Sequence, residues 1–196
     1  MTYYRFLLNL VGVVLRVFWN PEYLGREHIP SKGAVIVCSN HVNAMDPFLV
    51  AFGFQREISY LAKEELFRHA MLRHFLIRTG MIPVKRGQSD RQAIRTVIQR
   101  LEEQRMIGIF PEGTRSNNDE LLDFHDGAVY FALKTGATLL PAAIVGDYKK
   151  GKRMRVVYGQ GIPVAKSERT DRDQMHQITL QLAEEIKRLK GVPHGD

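Results

Sequence analysis

The chain reads as an α/β protein, a largely parallel or mixed sheet flanked by helices and led by an N-terminal interfacial amphipathic helix. Three observations predict this. Short runs such as Ala34–Cys38 and Met106–Phe110 are apolar, rich in Val and Ile, and too short for helices. Between such runs lie longer stretches with apolar residues at helical spacing. The two kinds alternate along 196 residues, which suits a single domain with a substantial core.

The N-terminal segment 2–19 is mostly apolar, but Arg5, Asn9, Gly12 and Arg16 form one narrow polar stripe on a helix. It is shorter and more charged than a spanning helix, and no small-residue cleavage site follows. Residues 1–20 are therefore expected to be a membrane-interface helix, with Tyr3, Tyr4, Phe6, Phe18 and Trp19 as aromatic anchors. Its apolar face is wider than a small domain readily covers, which favours the membrane over the protein's own core. Residues 21–196 are expected to form the single remaining domain.

Strands are expected at Glu22–Arg26, 34–39, Ile58–Ala62, Gly80–Arg86, Met106–Phe110 and Thr138–Val145, with one or two more in 153–164. Helices are expected at 47–54, 64–78, 126–135 and 170–190, and from Ser89 to about Arg105. Asp46-Pro47 reads as a helix start with Asp46 at the N-cap, and Ser89 with Gln92 as a capping box. In the 64–78 helix, Leu66, Phe67, Met71, Phe75 and Leu76 share one side, and His69 and His74 read as solvated.

Composition narrows the function. A net charge of +7 favours an anionic partner such as a membrane surface, a nucleic acid or an acidic carrier protein. The basic run Lys149–Arg155 would serve any of these, but no aromatic interleaving or nucleic-acid module accompanies it. One cysteine rules out an internal disulfide framework, and the scattered histidines suggest no metal set. Cys38 lies inside an apolar run, which suits a packed thiol rather than a nucleophile.

In parallel sheets, ligands gather beyond the carboxyl ends of strands. His41, Lys85-Arg86 and Glu112–Arg115 all fall just past expected strand ends. His41 with Asp46 five residues on can form an imidazole oriented by a carboxylate, the arrangement of a general base. Lys85, Arg86 and Arg115, with amides exposed near Gly113, suit a phosphate. Glu112 reads as an ion-pair partner that stiffens its loop. A base beside a phosphate site suits deprotonation of a hydroxyl on a phosphorylated substrate.

Four blocks in order then resemble the glycerolipid acyltransferases, specifically the bacterial 1-acylglycerol-3-phosphate acyltransferases. Asn40–Pro47 resembles the first motif, Gly80–Gly87 the second, Phe110–Ser116 the third and Leu140–Ile144 the fourth, covering about residues 24–146. The resemblance implies transfer of a fatty acyl group from a thioester to the sn-2 hydroxyl of lysophosphatidate, giving phosphatidate. It implies His41 as general base and Asp46 as its partner, without a covalent acyl-enzyme. Arg86, Arg115 and Lys85 would hold the phosphate, Gly113 and Thr114 would shape its pocket, and Pro141 would lie near the acyl chain. No cofactor or metal is implied; the donor is acyl carrier protein or coenzyme A thioester. The place implied is the cytoplasmic face of the membrane, peripherally bound to an anionic surface, with no nucleic-acid partner. Other lysophospholipids or glycerol phosphate remain alternative acceptors, and a non-catalytic basic membrane protein is the alternative from another class. The family's F-K-x-G pattern is replaced by Phe124-His125-Asp126-Gly127.

Overall fold

The computed structural model describes residues 3–85, 90–116, 120–148, 153–167, 169 and 171–192. In chain order the elements are α1 (Tyr3–Trp19), β1 (Glu22–Leu24), β2 (Val35–Ser39), α2 (Asp46–Phe52), β3 (Ile58–Lys63), α3 (Ala70–Arg78) and β4 (Ile82–Val84). There follow α4 (Arg91–Glu102), β5 (Met106–Ile109), α5 (Gly127–Thr135), β6 (Thr138–Val145), β7 (Arg155–Tyr158) and α6 (Arg172–Lys190). The strands form one sheet in the order β1-β7-β6-β2-β5-β3-β4. Every described pairing of these strands is parallel except β6 with β7.

β2 lies at the centre and is buried at all its positions. Its alternation divides the core. Val35 and Val37 point into a cluster with Leu8 and Leu15 of α1 and Leu49 of α2. Ile36 and Cys38 point into a cluster with Val97 of α4, Val129 of α5 and Ile186 of α6. Helices thus cover both faces, which is why β2 is a continuous apolar run rather than an alternating one.

α1 is not a detached anchor. Tyr4, Leu8 and Leu15 belong to the same core as the sheet, and a Cβ on Gly12 would lie 2.1 Å from the Phe52 ring. Gly12 is therefore a close-packing contact with α2, not part of a solvated stripe. Arg5 donates to the Phe54 carbonyl at 3.2 Å and to that of Gln55, and Arg26 Nε donates to Gly53 O at 3.1 Å. These cations meet the carbonyl end of α2, where positive charge is favoured. Arg16 stacks over Phe52. The opposite side of α1 leaves Phe6, Leu10, Val13 and Val17 between 56% and 73% exposed.

Other expectations are corrected in detail. The 64–78 segment is not one helix: a 3-10 turn over Glu64–Arg68 precedes α3, and extended backbone at His69 separates them. Leu66 and Met71 are exposed rather than packed, while Leu76 is buried and Phe75 packs near Phe48 of α2. Asp90 caps α4, accepting from the Gln92 and Ala93 amides, while Ser89 lies outside the described residues. Residues 149–152 of the basic run are also outside them; Arg155 is buried and its Nε lies 3.0 Å from Glu22.

Candidate active site

The apolar run of β2 ends in Ser39-Asn40-His41, and the chain turns at once into α2. Asn40 holds this strand end. Its Nδ2 donates to Ile144 O at 3.0 Å, and its Oδ1 accepts from Ile144 N at 2.8 Å. Asp46 is the first residue of α2, with Met45 at the N-cap position. Its carboxylate does not cap the helix ahead of it. It turns back, and Oδ2 accepts from Val42 N at 2.7 Å and Asn43 N at 2.8 Å. The same oxygen lies 2.8 Å from His41 Nδ1. A carboxylate only accepts, so Nδ1 carries the proton and Nε2 of the neutral ring is free to take one. Among the described residues Nε2 has no hydrogen-bond partner.

Asp46 is fully buried. A buried charge is sustained only by donors, and the two turn amides and the imidazole supply them. The imidazole is held in plane as well. Phe110 stacks on it with ring centroids 4.0 Å apart, and Tyr60 stacks on Phe110 at 5.5 Å.

Glu112 is buried and serves as a tie between loops. Oε1 accepts from His41 N at 2.8 Å and Oε2 from Leu122 N at 3.0 Å. Burial pushes its carboxyl above the usual range, and the two amides pull it back. Both oxygens are therefore spent on backbone, so the carboxylate orients the loop instead of facing a substrate. Ser116 N donates to His41 O at 2.8 Å, fixing the loop from its other end. Arg115, one residue earlier, is exposed, as is Thr114. Gly113 has a φ of 66°, which favours glycine, and a Cβ there would come within 3.1 Å of His125.

Lys85 and Pro141 fall apart from this group. Lys85 is exposed and pairs with Glu64 at 3.8 Å. It follows β4, three places from β2 in the sheet, roughly 14 Å at ordinary strand spacing. Arg86 lies outside the described residues. Pro141 is buried, and a Cβ on Gly159 would come within 3.1 Å of its Cγ and 3.0 Å of Leu189 in α6. The alternation of β6 sends Leu140 and Ala142 to the α1–α2 side and Pro141 to the α6 side, away from the apolar cleft described next.

An apolar cleft lies between α1, α2 and α3, lined by Leu7, Phe48, Ala51, Tyr60, Phe75 and Met81. Tyr60 links it through Phe110 to His41, and the buried Tyr60 hydroxyl has no hydrogen-bond partner among the described residues. Cys38 is fully buried, and burial pushes its thiol well up, so it offers no nucleophile.

The profile of the Acyltransferase family matches residues 20–145, which span His41, Asp46 and Glu112. The chain belongs to the Acyltransferase family. It is 29% identical to the 1-acyl-sn-glycerol-3-phosphate acyltransferase of Bacillus subtilis over 195 residues, 95% of this chain and 96% of that protein. It is 39% identical to the protein of the same name from Borreliella burgdorferi over 122 residues, covering 61% of this chain and 49% of that one. This chain therefore spans about half the length of that second acyltransferase. The crystal structure of the acyltransferase PlsC of Thermotoga maritima shares the fold, with a TM-score of 0.76 at 22% identity. That alignment covers 98% of this chain and 83% of the other.

Sequence reasoning missed Tyr148, whose hydroxyl donates to Asp46 Oδ1. The two residues are 102 positions apart, so no local spacing could have paired them.

Proposed function

We propose that this acyltransferase moves a fatty acyl group from a thioester to the sn-2 hydroxyl of lysophosphatidate, forming phosphatidate. The observation that carries the proposal is the buried Asp46 fixing Nδ1 of His41, which leaves Nε2 as the base. The bacterial relatives that carry the name of this activity support the choice of acceptor.

In the proposed step, Nε2 takes the proton of the acceptor hydroxyl as its oxygen attacks the thioester carbonyl. The carbon–sulfur bond then breaks, and the departing sulfur receives the proton from the imidazolium. Asp46 stabilises that cation and keeps its tautomer. Direct transfer fits the burial of Cys38 and of Ser39, whose hydroxyl donates to the Asn40 carbonyl. Exposed Arg115 precedes Ser116, whose amide donates to His41 O, and it is assigned to the acceptor's phosphate, with Gly113 and Thr114 shaping the turn. Lys85 is assigned to the far end of the same rim.

The acceptor resides in a bilayer, so the protein must meet one. Among the described residues no helix is long and apolar enough to cross a membrane. The exposed face of α1 supplies a peripheral contact, buried in the headgroup boundary. The test is a panel of acceptors and donors. Purified protein is given lysophosphatidate, a second lysophospholipid or glycerol 3-phosphate, each with acyl carrier protein or coenzyme A thioesters. The highest kcat/KM is expected with lysophosphatidate. A higher value with another acceptor would reassign the substrate, and no transfer with any would remove the activity.

A further inference from the structure

We propose that Tyr148 is a positioning residue for the His41–Asp46 pair, and that Trp19 at the end of α1 holds Tyr148 in place. The proposal rests on His41 acting as the base.

The two oxygens of Asp46 are used differently. Oδ2 accepts from His41 Nδ1 and from the Val42 and Asn43 amides. Three donors on one oxygen leave the carboxylate able to pivot about it. Oδ1 accepts from the Tyr148 hydroxyl, and among the described residues it has no other partner. That fourth bond fixes the plane of the carboxylate and hence the direction in which it points Nδ1. It also draws electron density from the carboxylate, tuning how strongly the imidazolium is stabilised. The phenol is a dependable donor, since burial and the charge of Asp46 both hold its proton on.

Tyr148 lies beyond the end of β6, so its own position needs a support. Trp19 provides one. Its Nε1 donates to Tyr148 O at 2.8 Å, and the two rings meet edge to face with centroids 5.4 Å apart. Trp19 O in turn accepts from Met154 N at 3.0 Å, which fixes the end of α1 ahead of β7. A continuous chain of contacts therefore runs from α1 through Trp19 and Tyr148 to Asp46 and His41. The helix that starts it also carries the exposed Val13, Val17 and Phe18. α1 is thus part of what sets the base, as well as a surface for lipid.

The experiment compares Tyr148→Phe, Trp19→Phe and the double variant in the full chain. Both substitutions keep a ring and remove one donor. Tyr148→Phe is expected to lower kcat about 10-fold, the worth of one bond to a charged group, with both KM values unchanged. Trp19→Phe is expected to lower kcat less, and the double variant to match Tyr148→Phe within about 2-fold, as coupled residues do. The His41 Nδ1 proton resonance, read by NMR without substrate, is expected to move in Tyr148→Phe. An unmoved resonance, or kcat at the parent level, would overturn the positioning role. A raised KM at unchanged kcat would also overturn it, placing Tyr148 at a substrate instead. Losses that multiply in the double variant would overturn the link through Trp19. Should the parent protein transfer no acyl group at all, the proposed function fails while the resonance still decides the role of Tyr148.

Discussion

Asp46 is a charge with no exposure to water, and the donors around it are what make it tolerable. Asp46→Asn would turn an NH2 group toward donors and strand at least one of them in the interior. It is expected to lower kcat by about 10²–10⁴-fold and to lower the melting temperature as well, both measurable on purified protein. Arg115 is exposed, so its loss should leave the fold intact. Bonds to a charged group contribute roughly 1.5–3 kcal/mol, so Arg115→Ala is expected to weaken acceptor use about 10–200-fold. Steady-state kinetics should place the change in the acceptor term and not in the donor term. Cys38 should react with an alkylating reagent only after unfolding, since its thiol is buried and its ionisation is opposed. At this scale, the His41–Asp46 pair was legible because a turn of four intervening residues suffices to bring the two together. Asn40 and Tyr148 were not, because each meets a partner more than 100 residues away in the chain, Ile144 of β6 for Asn40 and Asp46 for Tyr148.

The elements were legible where periodicity was strong. β6 was expected over Thr138–Val145 and occupies that span. The alternation of strands and helices gave the mixed, mostly parallel sheet because each crossover needs a helix. The 64–78 helix was misread because a pattern of apolar residues does not reveal the extended His69 that breaks it. The Asp46-Pro47 start was misread by one position because a carboxylate before a proline reads as a cap, yet here it serves the turn behind it. Close packing was invisible in the sequence. A Cβ on Gly108 would lie 2.0 Å from the Tyr60 ring, which also stacks on Phe110. Gly108→Ala is expected to cost about 1–3 kcal/mol by overpacking, read in a denaturant melt. It should also displace the ring stack under His41, lowering kcat in protein that remains folded.

Over the whole molecule, one sheet carries the base at its centre, and α1 joins that core to an exposed apolar strip. Because Tyr4, Leu8 and Leu15 are in the core, deleting α1 would disturb the fold and say little about lipid. Surface substitutions avoid this. Val13→Asp with Val17→Asp should leave the melting temperature near that of the parent and abolish co-sedimentation with anionic vesicles. Activity on detergent-dispersed lysophosphatidate should persist while activity on vesicle-embedded acceptor falls. Equal sedimentation of both proteins would exclude this face as the contact. The base itself is tested most directly by the rate of phosphatidate formation from lysophosphatidate and an acyl thioester, at saturating concentrations of both, for His41→Ala against the parent. His41→Ala removes one donor from the buried Asp46 carboxylate, so its melting temperature is expected to fall somewhat, while in the folded protein kcat should be lower by at least about 10²–10⁴-fold. A folded His41→Ala protein that forms phosphatidate at the parent rate would contradict the mechanism.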